Sequence, residues 1–310
     1  MHTPVMVREV VTLLAIRPDG MYVDGTVGSG GHARAILERL GPKGFLLAID
    51  RDEAAIAAAR EALTTWSAQC RVEQGNFAEL KRLAGQYGVQ SVDGVLLDLG
   101  MSAMQVDQAE RGFSFLKDGP LDMRMDLQQA TTAAHLVNSL SEQALAKMIR
   151  SLGDEPAARR IARAIVRERQ RGPLETTGRL ADLLARVLGR RRRIHPATRT
   201  FQALRLAVNR ELEALAEGLE EAISLLKPGG RLAVLSYHSL EDRCVKHIAQ
   251  EHIGRWISLA AGGERWEGRL PGVRWVAPKP LPPSPEEVSR NPRSRSAKLR
   301  AMERINSNHG

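Results

Sequence analysis

Met21-Tyr22-Val23, an apolar run, leads directly into Asp24-Gly25-Thr26-Val27-Gly28-Ser29-Gly30-Gly31-His32. A short strand, an acidic residue, a glycine-rich turn and a helix starting near Gly31 form the order in which α/β proteins cradle a nucleotide-like ligand. Glycine is needed where the backbone takes positive φ or where a ligand must approach without meeting a Cβ. The N-terminus of the following helix offers unpaired N–H groups to polar ligand atoms. Twenty residues past Gly30 a second strand, Gly44 to Ile49, ends in Asp50, a position suited to ribose hydroxyls. Together these features predict an adenosine-containing ligand.

The motif alone leaves two such ligands open. Gly28-x-Gly30-x-x-Ala33 satisfies the dinucleotide fingerprint, and Asp50 suits NAD as well. Asp24 favours S-adenosylmethionine, because a carboxylate at the tip of the first strand meets that molecule's positively charged methionine moiety. Beside an anionic pyrophosphate the same carboxylate would be repelled.

The chain has 310 residues, enough for one large domain or two modest ones around a substantial core. Two cysteines, Cys70 and Cys244, give neither a disulfide framework nor a zinc pattern, so no metal is expected and a reducing compartment is. No apolar run approaches ~18 residues and no signal-peptide core opens the chain, so the expectation is a cytoplasmic protein without a membrane partner. The net charge is +9, yet residues 147–210 alone hold 17 Lys or Arg against 5 Asp or Glu. Such a concentration reads as a surface facing a polyanion, and Arg190-Arg191-Arg192-Arg193 has no local acidic partners.

Strands Met21–Val23, Gly44–Ile49, Gln69–Glu73 and Gly94–Leu97 alternate with helices Gly31–Leu40 and Glu53–Thr64, which predicts a mostly parallel sheet. From about 107 to 207 the apolar spacing is helical: Ala144, Leu145, Met148 and Ile149, then Ile161, Ala164 and Ile165. A helix from about Phe201 to Leu226 should stop at Lys227-Pro228-Gly229-Gly230. Strand Arg231–Ser236, a helix from Leu240, a last strand near Arg274–Ala277 and a basic tail, Arg290 to Arg304, complete the reading. The expected organisation is a split α/β domain, 1–106 with 208–310, carrying an inserted basic helical substrate-recognition domain, 107–207.

In open α/β sheets the ligand lies at the carboxyl ends of the strands, here Asp24, Asp50, Asp98 and Ser236. Phe77, after the third strand, is placed either to flank an adenine ring or to join Leu80 and Leu83 in the core. Asp98 sits where amino-group methyltransferases carry acceptors for the target NH₂, although the Pro-Pro-aromatic string of those enzymes is missing. His238, in Ser236-Tyr237-His238-Ser239-Leu240-Glu241-Asp242-Arg243, is a candidate for proton uptake or substrate orientation. Ser239 is the expected helix cap, with Asp242 as its partner.

Taken with further strings, these residues resemble the MraW (RsmH) family of bacterial 16S rRNA (cytosine-N4)-methyltransferases nearly end to end. The strings are His2-Thr3-Pro4-Val5, Ala48-Ile49-Asp50-Arg51-Asp52, Asp98-Leu99-Gly100, Arg111-Gly112-Phe113-Ser114-Phe115, Pro120-Leu121-Asp122-Met123-Arg124-Met125, His195-Pro196-Ala197-Thr198-Arg199-Thr200-Phe201 and Asn291-Pro292-Arg293-Ser294-Arg295. The resemblance implies a class I S-adenosylmethionine-dependent fold (Rossmann-like) with a helical insertion. It implies methyl transfer to the exocyclic N4 of a cytidine in the decoding region of 16S rRNA, within the small ribosomal subunit or a late assembly intermediate. By position it assigns Gly30, Gly31, His32, Asp50, Phe77, Asp98 and Gln105 to the cofactor, beside Asp24 and Gly28 from the motif itself. Asp98 and His238 are then the catalytic candidates, and Arg190, Arg191, Arg192, Arg193, His195 and Arg199 the RNA-contacting ones. Tyr237 stands where the family usually has phenylalanine. The target base must leave its stack to reach the cleft. Aromatic residues make up only 4% of the chain, so binding is expected to lean on phosphate contacts from the insertion and the tail. A homodimer is compatible with the sequence.

Overall fold

The computed structural model describes residues 4–189, 194–258, 264–269 and 272–305. Its contacts divide the chain into two compact units, Met1–Gly100 with Leu212–Gly310, and Met101–Glu211. The second unit takes in a few residues more at each end than 107–207. At its start, Ser102 caps a helix beginning at Ala103. At its end, Arg205 donates to Glu211 at 2.9 Å and the Asn209 side chain bridges Met125 N–H and the Met123 carbonyl.

The first unit opens with α1 (Val7–Leu14), β1 (Met21–Asp24), α2 (Gly31–Leu37), β2 (Phe45–Asp50), α3 (Glu53–Ala62), β3 (Cys70–Gln74), α4 (Leu80–Gln86) and β4 (Val92–Asp98). These strands pair in parallel; β1, β2 and β4 bury both faces and read as apolar runs, whereas β3, at the sheet edge, is polar and buries only Cys70. Alternate residues serve opposite layers. Val23, Leu47, Ile49, Val95 and Leu97 join one core cluster, and Tyr22, Leu46, Ala48 and Leu96 join another.

The second unit is helical: α5 (Ala103–Asp107), α6 (Ala133–Ser139), α7 (Glu142–Gly153), α8 (Ala158–Arg169), α9 (Thr177–Leu188) and α10 (Thr198–Asn209). Leu145, Ile149, Ile161, Ile165, Leu180, Leu184, Phe201 and Leu204 form its own core.

The chain returns to the first unit through α11 (Glu211–Leu225) and β5 (Leu226–Ser236). The single helix expected over 201–226 is broken, because Arg210 adopts a left-handed conformation (φ 48°, ψ 44°) that ends α10 one residue before α11 begins. β5 starts immediately at Leu226, so Lys227-Pro228-Gly229-Gly230 is a bulge rather than a free turn. Val92 pairs Leu226 and Gly94 pairs Arg231, with Gly229 at φ +76° absorbing the extra residues. Then come α12 (Ser239–Ile253), the antiparallel pair β6 (Arg255–Ser258) and β7 (Glu264–Glu267), β8 (Val273–Trp275), α13 (Pro285–Arg290) and β9 (Lys298–Arg304).

The seven-stranded sheet has the order β3-β2-β1-β4-β5-β9-β8, parallel from β3 to β5 and antiparallel beyond. The expected basic tail is therefore in part an inner strand. Lys298 and Arg300 of β9 pair with Asp242, Arg304 donates to the Ile223 carbonyl, and Glu303 pairs with Arg231. These cations are spent inside the fold, while Leu299, Ala301 and Met302 are buried. Among the described residues no helix is long and apolar enough to cross a membrane, and no cluster suits a metal ion.

Candidate active site

Parallel pairing sets the last residues of β1, β2 and β4 at one edge of the sheet. Asp24 lies opposite Ala48 and Leu96, Asp50 opposite Gln74, and Asp98 opposite Leu235. The glycine turn is pinned to this edge by Gly25 N–H to the Leu96 carbonyl and Val27 N–H to the Ile49 carbonyl. Gly28 and Gly30 take φ of 52° and 86°, where a Cβ would be strained. The Gly28 N–H donates to Asp50 Oδ2 at 2.9 Å, and Asp52 N–H donates to Asp50 Oδ1 at 3.0 Å. Asp50 thus ties the end of β2 to the turn, and each oxygen keeps lone-pair capacity for a ligand hydroxyl. Burial pushes its carboxyl above the ordinary range despite these two bonds.

Asp24 is almost fully buried. Its Oδ1 accepts from Thr26 N–H at 3.1 Å, and its Oδ2 has no hydrogen-bond partner among the described residues. Burial pushes its pKa from 3.8 up to about 7, with Asp98 and Asp50 adding to the rise and His32 opposing it. A buried carboxylate oxygen without a partner is costly unless a cation or donor completes it.

His32, also buried, places Nε2 2.8 Å from the Val5 carbonyl and Nδ1 3.4 Å from Asp98 Oδ2. Burial alone would lower its pKa, but Asp98, Asp24 and the Val5 carbonyl together raise it. The other Asp98 oxygen, Oδ1, accepts the Tyr237 hydroxyl at 2.7 Å, and Asp98 N–H donates to Thr26 Oγ1 at 2.6 Å. Burial and the neighbouring Asp98 drive the Tyr237 phenol far upward, so it stays a donor. Three carboxylates and one imidazole on one edge make a site for a cation and a poor one for a pyrophosphate.

His238 is the N-cap of α12. Its Nδ1 accepts from Glu241 N–H at 3.3 Å, its Nε2 lies 3.2 Å from Glu241 Oε1, and the Glu241 carboxylate accepts from the Tyr237 and His238 amides. The expected Ser239–Asp242 cap is displaced by one residue, since buried Glu241 can reach two amides while Asp242 is taken by Lys298 and Arg300. Phe77 is half-buried in the core cluster of Leu80 and Leu83, lying so close to α11 that a Cβ on Gly218 would meet its ring at 2.3 Å. Thr26, Tyr237 and Glu241 were not read as site residues. A tyrosine at a strand tip, in a string of polar residues, was the available signal for Tyr237.

Gln105 belongs to the second unit, where it closes a capping box with Ser102. There too, the exposed His195 ring stacks on Phe115 with centroids 4.4 Å apart. Arg199 donates to the Asp154 carbonyl at 3.1 Å and lies 3.9 Å from Glu155, so its guanidinium secures the α7–α8 corner. Arg190, Arg191, Arg192 and Arg193 lie outside the described residues.

The model of the MraW methylase family matches residues 1–305. The chain belongs to that family. Relatives called ribosomal RNA small subunit methyltransferase H include the protein of Thermomicrobium roseum, 51% identical over 98% of this chain and 94% of the relative. That of Geobacter sulfurreducens is 50% identical over 98% of this chain and 99% of the relative. Among solved structures, an rRNA methylase from Streptococcus thermophilus covers 99% of both chains at 10% identity with a TM-score of 0.43. Like others of its family, the chain is an S-adenosylmethionine-dependent methyltransferase, and its seven-stranded sheet is the class I, Rossmann-like arrangement. The residues present fit that donor. The orphaned Asp24 oxygen suits a positively charged group, and the glycine turn leaves backbone open to approach.

Proposed function

We propose that this protein methylates the exocyclic N4 of a cytidine in the decoding region of 16S rRNA, in the small ribosomal subunit or a late assembly intermediate. The observation that carries methyl transfer is the buried Asp24 oxygen beside the glycine turn, which has no hydrogen-bond partner among the described residues. The substrate reading is supported by the motif strings and by the names of relatives about half identical over nearly the whole chain.

Asp24 would hold the positively charged methionine end of S-adenosylmethionine, the Gly28–Gly31 turn its backbone-facing side, Asp50 its ribose hydroxyls and Phe77 the flank of its adenine. What the bound donor supplies is an activated methyl group. The protein's work is alignment and electrostatics. Asp98 accepts a hydrogen bond from the cytidine NH₂, which draws the nitrogen lone pair out of ring conjugation and makes it nucleophilic. Tyr237 and His32 fix the Asp98 carboxylate from either side, leaving lone pairs for the amine. The proton shed by the amine passes to an Asp98 oxygen, and His32 behind it stabilises either protonation state. His238, bound to Glu241 through both ring nitrogens, shapes the β5–α12 turn beside this pair. Gln105 is a further candidate cofactor contact, and the inserted unit is the substrate-recognition element, with His195, Arg199 and Arg190 to Arg193 as its candidate RNA contacts.

The test is tritiated methyl incorporation from S-adenosylmethionine into small subunits lacking the modification, into free rRNA and into DNA, followed by digestion to nucleosides. Label in N4-methylcytidine, lost in Asp98→Ala, is the expected result. Label confined to DNA, or none despite measured cofactor binding, would overturn the substrate assignment.

A further inference from the structure

In the second unit, α7 and α8 are joined by a tight corner in which Asp154 is left-handed (φ 48°). Between them runs a groove of about 1220 Å³. Its floor is small and apolar, made by Ala146, Pro156, Ala157 and Ala158. The rest of its lining is long and mostly cationic: Lys147 and Arg150 from α7, and Arg159, Arg160 and Arg163 from α8, with Glu142 and Gln143 at the start of α7.

The rim is not an accident of composition neutralised by its neighbours. All five cations are exposed, and among the described residues only Arg163 has an acidic partner, Glu142 at 3.5 Å. Lys147, Arg150, Arg159 and Arg160 make no ion pair or side-chain hydrogen bond with any described residue. Four unpaired like charges facing one groove repel one another, a cost that a bound polyanion removes. The guanidinium fork matches phosphate oxygens, and its planar geometry tolerates burial against a ligand better than an ammonium does. No aromatic side chain lines the groove, so it offers no stacking platform for bases.

We propose that the α7–α8 groove is a phosphate track, which grips the sugar–phosphate backbone of the RNA independently of sequence. Neither His195 nor Arg199 is among its lining residues. It rests on the reading of this protein as an RNA methyltransferase and adds how the RNA is held. Cations gripping backbone phosphates position an RNA without reading its bases.

The experiment compares three proteins: wild type, a neutral variant (Lys147→Ala, Arg150→Ala, Arg159→Ala and Arg160→Ala together), and a charge-conserving variant (Arg150→Lys, Arg159→Lys and Arg160→Lys). Binding of fluorescently labelled small-subunit rRNA is measured from 50 to 300 mM KCl, with S-adenosylmethionine affinity as the folding control. Each lost phosphate contact lowers the slope of log affinity against log salt by about 0.7–0.9. The neutral variant should therefore lose about 3 from the slope and at least about tenfold in affinity near 0.15 M salt, while cofactor affinity stays. The charge-conserving variant should keep most of the slope. An unchanged slope in the neutral variant with intact cofactor binding overturns the proposal while leaving methyl transfer to RNA standing. If the neutral variant keeps RNA binding but loses binding to polyglutamate, the groove serves an acidic protein instead. If wild type binds no RNA, the functional reading itself fails, and the track with it.

Discussion

Replacing Asp24 by asparagine should make the ligand-free protein more stable and the cofactor complex weaker. The folded pKa of Asp24 is raised from 3.8 to about 7, burial being the main cause. A raised folded pKa means that the native state binds the proton more tightly than the unfolded chain. The associated stability is therefore fully present below about pH 4 and is lost as pH rises through about 7. At about 1.4 kcal/mol for each pH unit, the interval amounts to about 4 kcal/mol of destabilisation at pH 8. Asparagine cannot ionise and escapes it, but its buried NH₂ needs a partner, which returns about 1–3 kcal/mol. The net expectation is a variant about 1–3 kcal/mol more stable than wild type at pH 8, with the advantage gone by pH 4.5. Against this, a hydrogen bond to a charged group is worth about 1.5–3 kcal/mol, so S-adenosylmethionine should bind about 10- to 150-fold more weakly. Urea unfolding of the ligand-free proteins at both pH values, with titration calorimetry for the cofactor, reads both quantities. An asparagine variant less stable than wild type at pH 8, or one binding the cofactor within twofold of wild type, would refute the reasoning.

Tyr237→Phe removes the hydroxyl that donates to Asp98 Oδ1, so one side of that carboxylate is no longer held. The turnover rate should fall about tenfold with cofactor affinity kept, whereas a purely packing role would leave turnover at the wild-type value. Gly218→Ala would gain about 1 kcal/mol of helix propensity, but its Cβ would meet Phe77 at 2.3 Å. Overpacking should win, giving a net loss of about 1–2 kcal/mol in thermal or urea unfolding and weaker cofactor binding, while a stabilised variant would show that Phe77 is free to move. Truncation after Ala297 deletes β9, which pairs with both β5 and β8, and should leave the first unit unfolded by circular dichroism. A truncated chain with a cooperative, cofactor-responsive melt would contradict the placement of that strand.

The glycine turn and the strands β1 to β4 were legible because their determinants are local. Both faces of β1, β2 and β4 are covered, so each of these is mostly an apolar run, and each ends in an aspartate. What failed to show was set by distant partners. Lys298 to Arg304 mixes cations with Leu299, Ala301 and Met302, a pattern that looks like a tail until Asp242, Arg231 and the β5 edge are placed around it. The break at Arg210 has no glycine or proline to announce it. It follows from Asn209 being held by Met123 and Met125, far away in sequence. Serine is the better capping residue by preference, yet His238 takes the cap because Glu241 binds two amides at the end of β5. The hydrogen bond from Tyr237 to Asp98 spans 139 positions and could not be read from either residue alone.

Methyl transfer to cytidine N4 is read out in the modified nucleosides of small-subunit rRNA from cells lacking this gene, and from the same cells carrying the wild-type or Asp98→Ala gene, measured by mass spectrometry after complete digestion. N4-methylated cytidine should be depleted in the deletion, restored by wild type and not by Asp98→Ala. An unchanged content of that nucleoside, or loss of a different methylated nucleoside, would contradict it.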